Sequence, residues 1–238
     1  MHHSLLIAAC AAASLSLACG TTGQREIRYP FFASGRAPAP FTAGDWQATL
    51  DVARVGFGPV YFCATAGASS DLCPAAVAEF ADSAVVNGLN PSAQPIGEID
   101  GVTGQINSAT YDYAFTWLDT QSAAQPTSAA PGGHSAHFEG HAVRGSTTLR
   151  FVADIDVKPN IQGTRSVQGA RVTADVQSDQ VRLDVRMDPS AWWAKADFNE
   201  LAALGGDPVV VPQGSRTYNA VVLGMTAAAP PSFQWSGP

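Results

Sequence analysis

The stretch Gly133-His134-Ser135-Ala136-His137-Phe138-Glu139-Gly140-His141 holds three of the chain's five histidines, with a glutamate between the last two. Imidazole nitrogen and carboxylate oxygen are donors that zinc and copper accept in proteins. On a strand from Ala136 to Val143 successive side chains alternate. His137, Glu139 and His141 then share one face, with neighbouring Cβ atoms about 6.5–7 Å apart, while Phe138, Gly140 and Ala142 face the core. His134, in the glycine-rich segment ahead, can fold back as a fourth ligand. His134, His137, Glu139 and His141 are therefore the candidate ligands for Cu2+ or Zn2+, copper being the stronger competitor for nitrogen donors. The same pattern also suits the wet face of an antiparallel strand, with His141 paired to Glu139 or Asp154.

A catalytic use of these residues finds little else to support it. Ser135 beside His134 is not a nucleophile elbow, and the chain has no G-x-S-x-G, H-E-x-x-H or S-x-x-K. Asp154 and Asp156 form an acidic pair, but Arg150 on the same face accounts for them as surface charge balance. The expectation is a protein that binds rather than catalyses, with a purely structural envelope component as a further alternative. A second binding candidate is Trp192-Trp193. On a regular element one of two adjacent residues faces the core and the other stands at least half exposed, so the pair can form a platform for a sugar, a peptide or a partner protein. Packing in the core is the competing use of the pair. The run Tyr111, Tyr113, Phe115, Trp117 at period two reads as core or as a further platform.

The elements that must position these residues sit behind an N-terminal export signal. Leu5 to Ala18 is an apolar run of the length of a secretory signal core, too short to span a bilayer and without a preceding Lys or Arg. It leads into Leu17-Ala18-Cys19-Gly20, which resembles a lipoprotein signal with Ser16 three positions before the cysteine. Cys19 is the expected lipidation site, in preference to Cys10 in Ile7-Ala8-Ala9-Cys10. Cleavage near Ala18 with plain secretion is the alternative. Gly20 in place of Asp points to the outer membrane. Cys63 and Cys73 then remain as a pair at C-x9-C spacing around a Gly/Ser/Ala loop. In an oxidising compartment that reads as a disulfide, worth about 2–3 kcal/mol on the chain-entropy model.

With 46% hydrophobic and only 14% charged residues the chain can bury a core, and 22 Gly with 16 Pro supply many turns. A net charge of −7 argues against nucleic acid and anionic membrane as partners. A lipid at the N-terminus is then the expected contact with the membrane. Residues 1–19 are read as the signal, 20–44 as a Gly/Pro/Ala-rich tether, 45–230 as one antiparallel β-sandwich domain with one or two short helices, and 231–238 as a tail. Alternation predicts strands from Trp46 to Val52, from Val55 to Cys63, from Thr110 to Leu118 and from Leu149 to Val157. Val172–Val176 and Val181–Met187 read as a hairpin turning at Ser178-Asp179. Pro74–Leu89 shows helical spacing, Asp188–Leu204 breaks the β pattern with helical turns, and 120–133 reads as flexible.

Two phrases, GDWQATLDVARVGFGPVYFC at 44–63 and VRLDVRMDPSAWWAKADFNEL at 181–201, resemble envelope lipoproteins of myxobacteria and related Gram-negative bacteria. They are also similar to copper-associated β-sandwich lipoproteins encoded beside di-haem peroxidases. That resemblance implies a β-sandwich at the envelope with a metal-ligand set, to which His137 and His141 correspond by residue type. The copper-associated proteins carry four cysteines in the mature domain, where this chain keeps Cys63 and Cys73.

Overall fold

The computed structural model describes residues 23–66, 73 and 76–237. In chain order the strands are β1 (Glu26–Ser34), β2 (Phe41–Ala43), β3 (Trp46–Phe57), β4 (Val60–Cys63), β5 (Ala76–Phe80), β6 (Ala84–Asn87), β7 (Gln94–Val102) and β8 (Gly104–Tyr111). There follow β9 (Phe115–Thr116), β10 (Gln125–Pro126), β11 (Ala136–Arg144), β12 (Thr147–Ile155), β13 (Val167–Val176), β14 (Arg182–Arg186), β15 (Val209–Val210) and β16 (Ser232–Ser236). Three short helices interrupt the β pattern late in the chain: α1 (Pro189–Trp193), α2 (Phe198–Leu204) and α3 (Arg216–Leu223).

The fold is the expected β-sandwich. One sheet has eight strands in the order β13-β8-β4-β5-β7-β1-β14-β16; the other has six, β15-β12-β11-β3-β2 with β6 also on β3. Most neighbours are antiparallel, but β1 with β14 and β12 with β15 run parallel. Inward residues of the two sheets meet in one aromatic-rich core, and α1 and α2 close it against the six-stranded sheet. Phe151 and Trp193, for example, have ring centroids 4.7 Å apart.

Several expectations need correction. Residues 26–34, read within the tether, form β1, an interior strand paired on both edges. Ile27, Tyr29, Phe31 and Ala33 alternate into the core. Pro30 obscures that alternation; it sits opposite Glu98 of β7, just before the ladder with β14 begins at Phe31. The tail likewise supplies β16, whose Phe233 and Trp235 pack on Phe62.

Pro74–Leu89 is not helical: its described residues form β5 and β6, with the chain changing sheets between them. Val77, Ala78 and Phe80 are buried by pairing of β5 with β4 and β7. Packing on a half-buried sheet overrides a weak alanine-rich helix preference. The expected hairpin at 172–187 is absent because β13 pairs with β8, while β14 takes its place between β1 and β16.

Finally, the aromatic run at 110–118 is not one strand. It ends at Tyr111, passes through Ala114 at φ 54°, and resumes as the two-residue β9. The segment read as flexible after it contains β10 and a 3-10 turn at Pro131–Gly133.

Candidate functional site: a histidine–carboxylate face on the outer sheet

Strand β11 is antiparallel to β12 and β3, so its outward side chains stand on a flat face. Its inward side chains Phe138 and Ala142 are buried as expected. Gly140 is required on that side, because a Cβ there would lie 2.5 Å from the Thr49 carbonyl oxygen and 2.6 Å from Phe151.

On the outward side each histidine meets a carboxylate. His134 Nδ1 lies 2.9 Å from Asp156 Oδ1, and Lys158 Nζ lies 2.9 Å from the other oxygen of that carboxylate. His137 uses both nitrogens, with Nδ1 2.7 Å from Asp154 and Nε2 3.1 Å from Glu139. His141 Nδ1 lies 2.9 Å from Asp51. Partial burial disfavours the charged form of His137, but Asp154 and Glu139 outweigh it and raise its pKa above the usual 6.5.

The partners differ from those expected for His141. Asp154 is cross-strand from His137 and bonds to it instead. Asp51 reaches His141 through a β-bulge: Glu139 pairs with Val52 and Gly140 with Leu50, leaving Asp51 as the extra residue. A bulge re-aims a side chain, and here it turns a carboxylate toward β11. The sequence carries a trace of it. Buried positions in β3 are Trp46, Ala48 and Leu50, then shift frame to Ala53, Val55 and Phe57.

The structure does not assemble His134, His137, Glu139 and His141 into one ligand set. Four residues of extended strand separate His137 from His141 by about 13 Å, beyond the reach of two imidazoles sharing an ion. Among the described residues no group of three or more His, Cys, Asp or Glu is placed to hold a metal. What the face presents is a row of separate imidazole–carboxylate pairs. In two of them, His134 and His141, Nδ1 is engaged by a carboxylate and Nε2 has no partner among the described residues. A neutral imidazole oriented that way is the form in which histidine ligates a metal.

The tryptophan platform is overturned. Trp192 and Trp193 are both completely buried. Trp192 donates Nε1–H to the Ala229 carbonyl and packs against Tyr113 and Phe138; Trp193 packs against Phe138, Phe151 and Phe198. The one-in, one-out expectation fails because α1 is covered on both sides, by the sheet and by the C-terminal helical segment. Gly224 makes that cover possible, since a Cβ there would come within 2.6 Å of the Trp192 backbone. Tyr111, Tyr113 and Phe115 are core residues as well. The Cys63–Cys73 disulfide is formed, with Cα atoms 5.6 Å apart. Cys19 lies outside the described residues.

A buried ion pair went unread in the sequence. Asp112, fully buried, accepts from Arg165 Nη1 at 2.9 Å and from the Ser166 N–H and hydroxyl at 2.7 and 2.8 Å. Its backbone also bonds to Gly58 and Pro59, and the Arg165 guanidinium lies 4.8 Å from the Tyr61 ring centroid. Burial pushes the Asp112 carboxyl above the usual range, against the pull of Ser166 and Arg165. A charge set between Tyr111 and Tyr113 in an otherwise core-like run was the available signal.

Fold and face together describe a disulfide-bearing β-sandwich whose polar chemistry lies on an open sheet surface. Searched against family models the chain matches none, and no curated protein matches it. Among solved structures it is similar to MbnP from Methylosinus trichosporium, at 10% identity and a TM-score of 0.37, over 90% of this chain and 99% of that one.

Proposed function

We propose that this protein is a non-enzymatic binding lipoprotein of the outer membrane, anchored through Cys19, which takes Cu2+ or Zn2+ on the outer face of its six-stranded sheet. The observation that carries the metal reading is the orientation of His134 and His141, each held at Nδ1 by a carboxylate with Nε2 unengaged among the described residues. The separation along β11 makes these two independent sites of one imidazole each, completed by water, so binding is weak and exchangeable. His137 contributes nothing while both its nitrogens are engaged. Copper is the better competitor for such nitrogen donors. The anchoring reading rests on the apolar run ending at Cys19 and on the disulfide, which belongs to an oxidising compartment.

Copper titration of the untagged mature domain from Gly20, followed by electron paramagnetic resonance, tests the reading. Two weak sites with one nitrogen each are expected, one lost in His134→Ala, the other in His141→Ala, and neither in His137→Ala. A single tight site with several nitrogens, or no uptake at all, would overturn it.

A further inference from the structure

The start of β1 limits how this domain can stand on a membrane. Arg25 and Glu26 are stitched into one end of the sandwich. The Arg25 N–H donates to Thr103 Oγ1 at 3.0 Å, its carbonyl accepts from the Thr103 N–H at 2.8 Å, and its guanidinium lies 3.5 Å from Asp179. Glu26 pairs with Val102 at the end of β7. Cys19 precedes Arg25 by six residues. Six residues reach at most about 21 Å even when fully extended. The 25 residues read as a tether would have allowed several times that distance.

Strand register places His134 at the opposite end. Next to Thr103, β8 begins at Gly104, opposite Val176 of β13, and ends at Tyr111, opposite Val60 of β4. Those eight residues rise about 24 Å. Beyond Tyr111, the Asp112 N–H donates to the Pro59 carbonyl, the Gly58 N–H to the Asp112 carbonyl, and the Gly56 N–H to the Ser135 carbonyl, beside His134. Among the described residues close to the start of β1, Glu26, Asp175 and Asp179 are exposed against Arg25. This end is acidic, so an anionic lipid surface would repel it and a zwitterionic one would tolerate it.

We infer that the end of the sandwich where β1 begins is the membrane-facing end, held by the short link to Cys19 against a zwitterionic bilayer, with His134 displayed at the far end of the domain. This rests on the lipoprotein reading and adds the direction in which the face is presented: metal at His134 is exchanged with the aqueous phase, a domain's length from the lipid, while His141 stands further back along β11.

The test uses the full mature chain, purified with its native N-terminus and reconstituted in phosphatidylcholine–phosphatidylethanolamine vesicles containing headgroup spin-labelled lipid. Gln180→Cys, in the turn between β13 and β14, and Ser122→Cys, at the far end after β9, are labelled separately with one fluorophore. Quenching of the label at 180 is expected to exceed that at 122 several-fold. Equal quenching, or the reverse order, in protein that carries the acyl mass and floats with vesicles would overturn the orientation alone. Protein without acyl mass that does not float would overturn the lipoprotein reading, and the inference with it.

Discussion

The Asp112–Arg165 pair should contribute more to stability than any polar group on the histidine face. Replacing Arg165 by methionine keeps most of the side-chain volume and removes the guanidinium. Asp112 then keeps its two bonds from Ser166 but loses the charged donor at 2.9 Å, and Tyr61 loses the cation beside its ring. Removing one member of a buried ion pair typically costs about 3–5 kcal/mol, because the remaining charge stays buried without its partner. For a domain of this size each kcal/mol moves the midpoint of thermal unfolding by roughly 2–4 °C, so a fall of about 10 °C is expected. Urea denaturation with the disulfide intact measures the free energy, and an unchanged slope lets the midpoint shift be read as a change in stability. The double variant Asp112→Leu/Arg165→Met removes both charges and should recover at least half of the loss, a coupling that a mutant cycle isolates. A cost below about 1 kcal/mol for Arg165→Met, or a double variant at or beyond the sum of the singles, would refute this account of a desolvated pair.

The remaining expectations concern the sheet face and the core. His137 has a raised folded-state pKa, so its contribution to stability is complete below the unfolded value of about 6.5 and is lost as pH rises through the folded value. His137→Gln should remove that part of the decline in urea midpoint between acid and mildly alkaline pH, and an unchanged pH slope would count against the pairing with Asp154 and Glu139. Gly140→Ala should destabilise the protein by about 1–3 kcal/mol, since its Cβ meets the Thr49 backbone as well as the Phe151 ring; a neutral result in chemical denaturation would contradict the close packing of β11. Trp192 and Trp193 should emit at short wavelength and resist iodide, so Trp192→Phe/Trp193→Phe must remove a shielded component of the fluorescence, and loss of a readily quenched component instead would contradict their burial.

Much of the secondary structure was legible because alternation is a local property. Trp46, Ala48 and Leu50, or Leu149, Phe151, Ala153 and Ile155, declare a strand and its buried face without reference to any other part of the chain. The outward setting of His137, Glu139 and His141 followed from the same rule, and the C-x9-C pair announced its own disulfide. β1 was hidden by Pro30, and β5 with β6 by alanine-rich helical spacing. In both cases a local signal was ambiguous and pairing with distant strands settled it.

Partnership was decided only in three dimensions. Asp51 and His141 stand 90 residues apart and meet because one bulge turns the aspartate; Asp112, a charge inside a core-like run, meets Arg165 across 53 residues, and nothing local names that partner. Whether adjacent tryptophans are both buried depends on what covers the helix from its second side, which here is a segment of the chain about 30 residues further on. Sequence by itself determined the regularly alternating strands, their apolar faces and which cysteines could pair, since each depends on near neighbours and on chain chemistry. Tertiary structure decided that the histidines stand in separate carboxylate pairs and not around one ion, because a flat strand holds its side chains at fixed intervals that no choice of side chain can shorten.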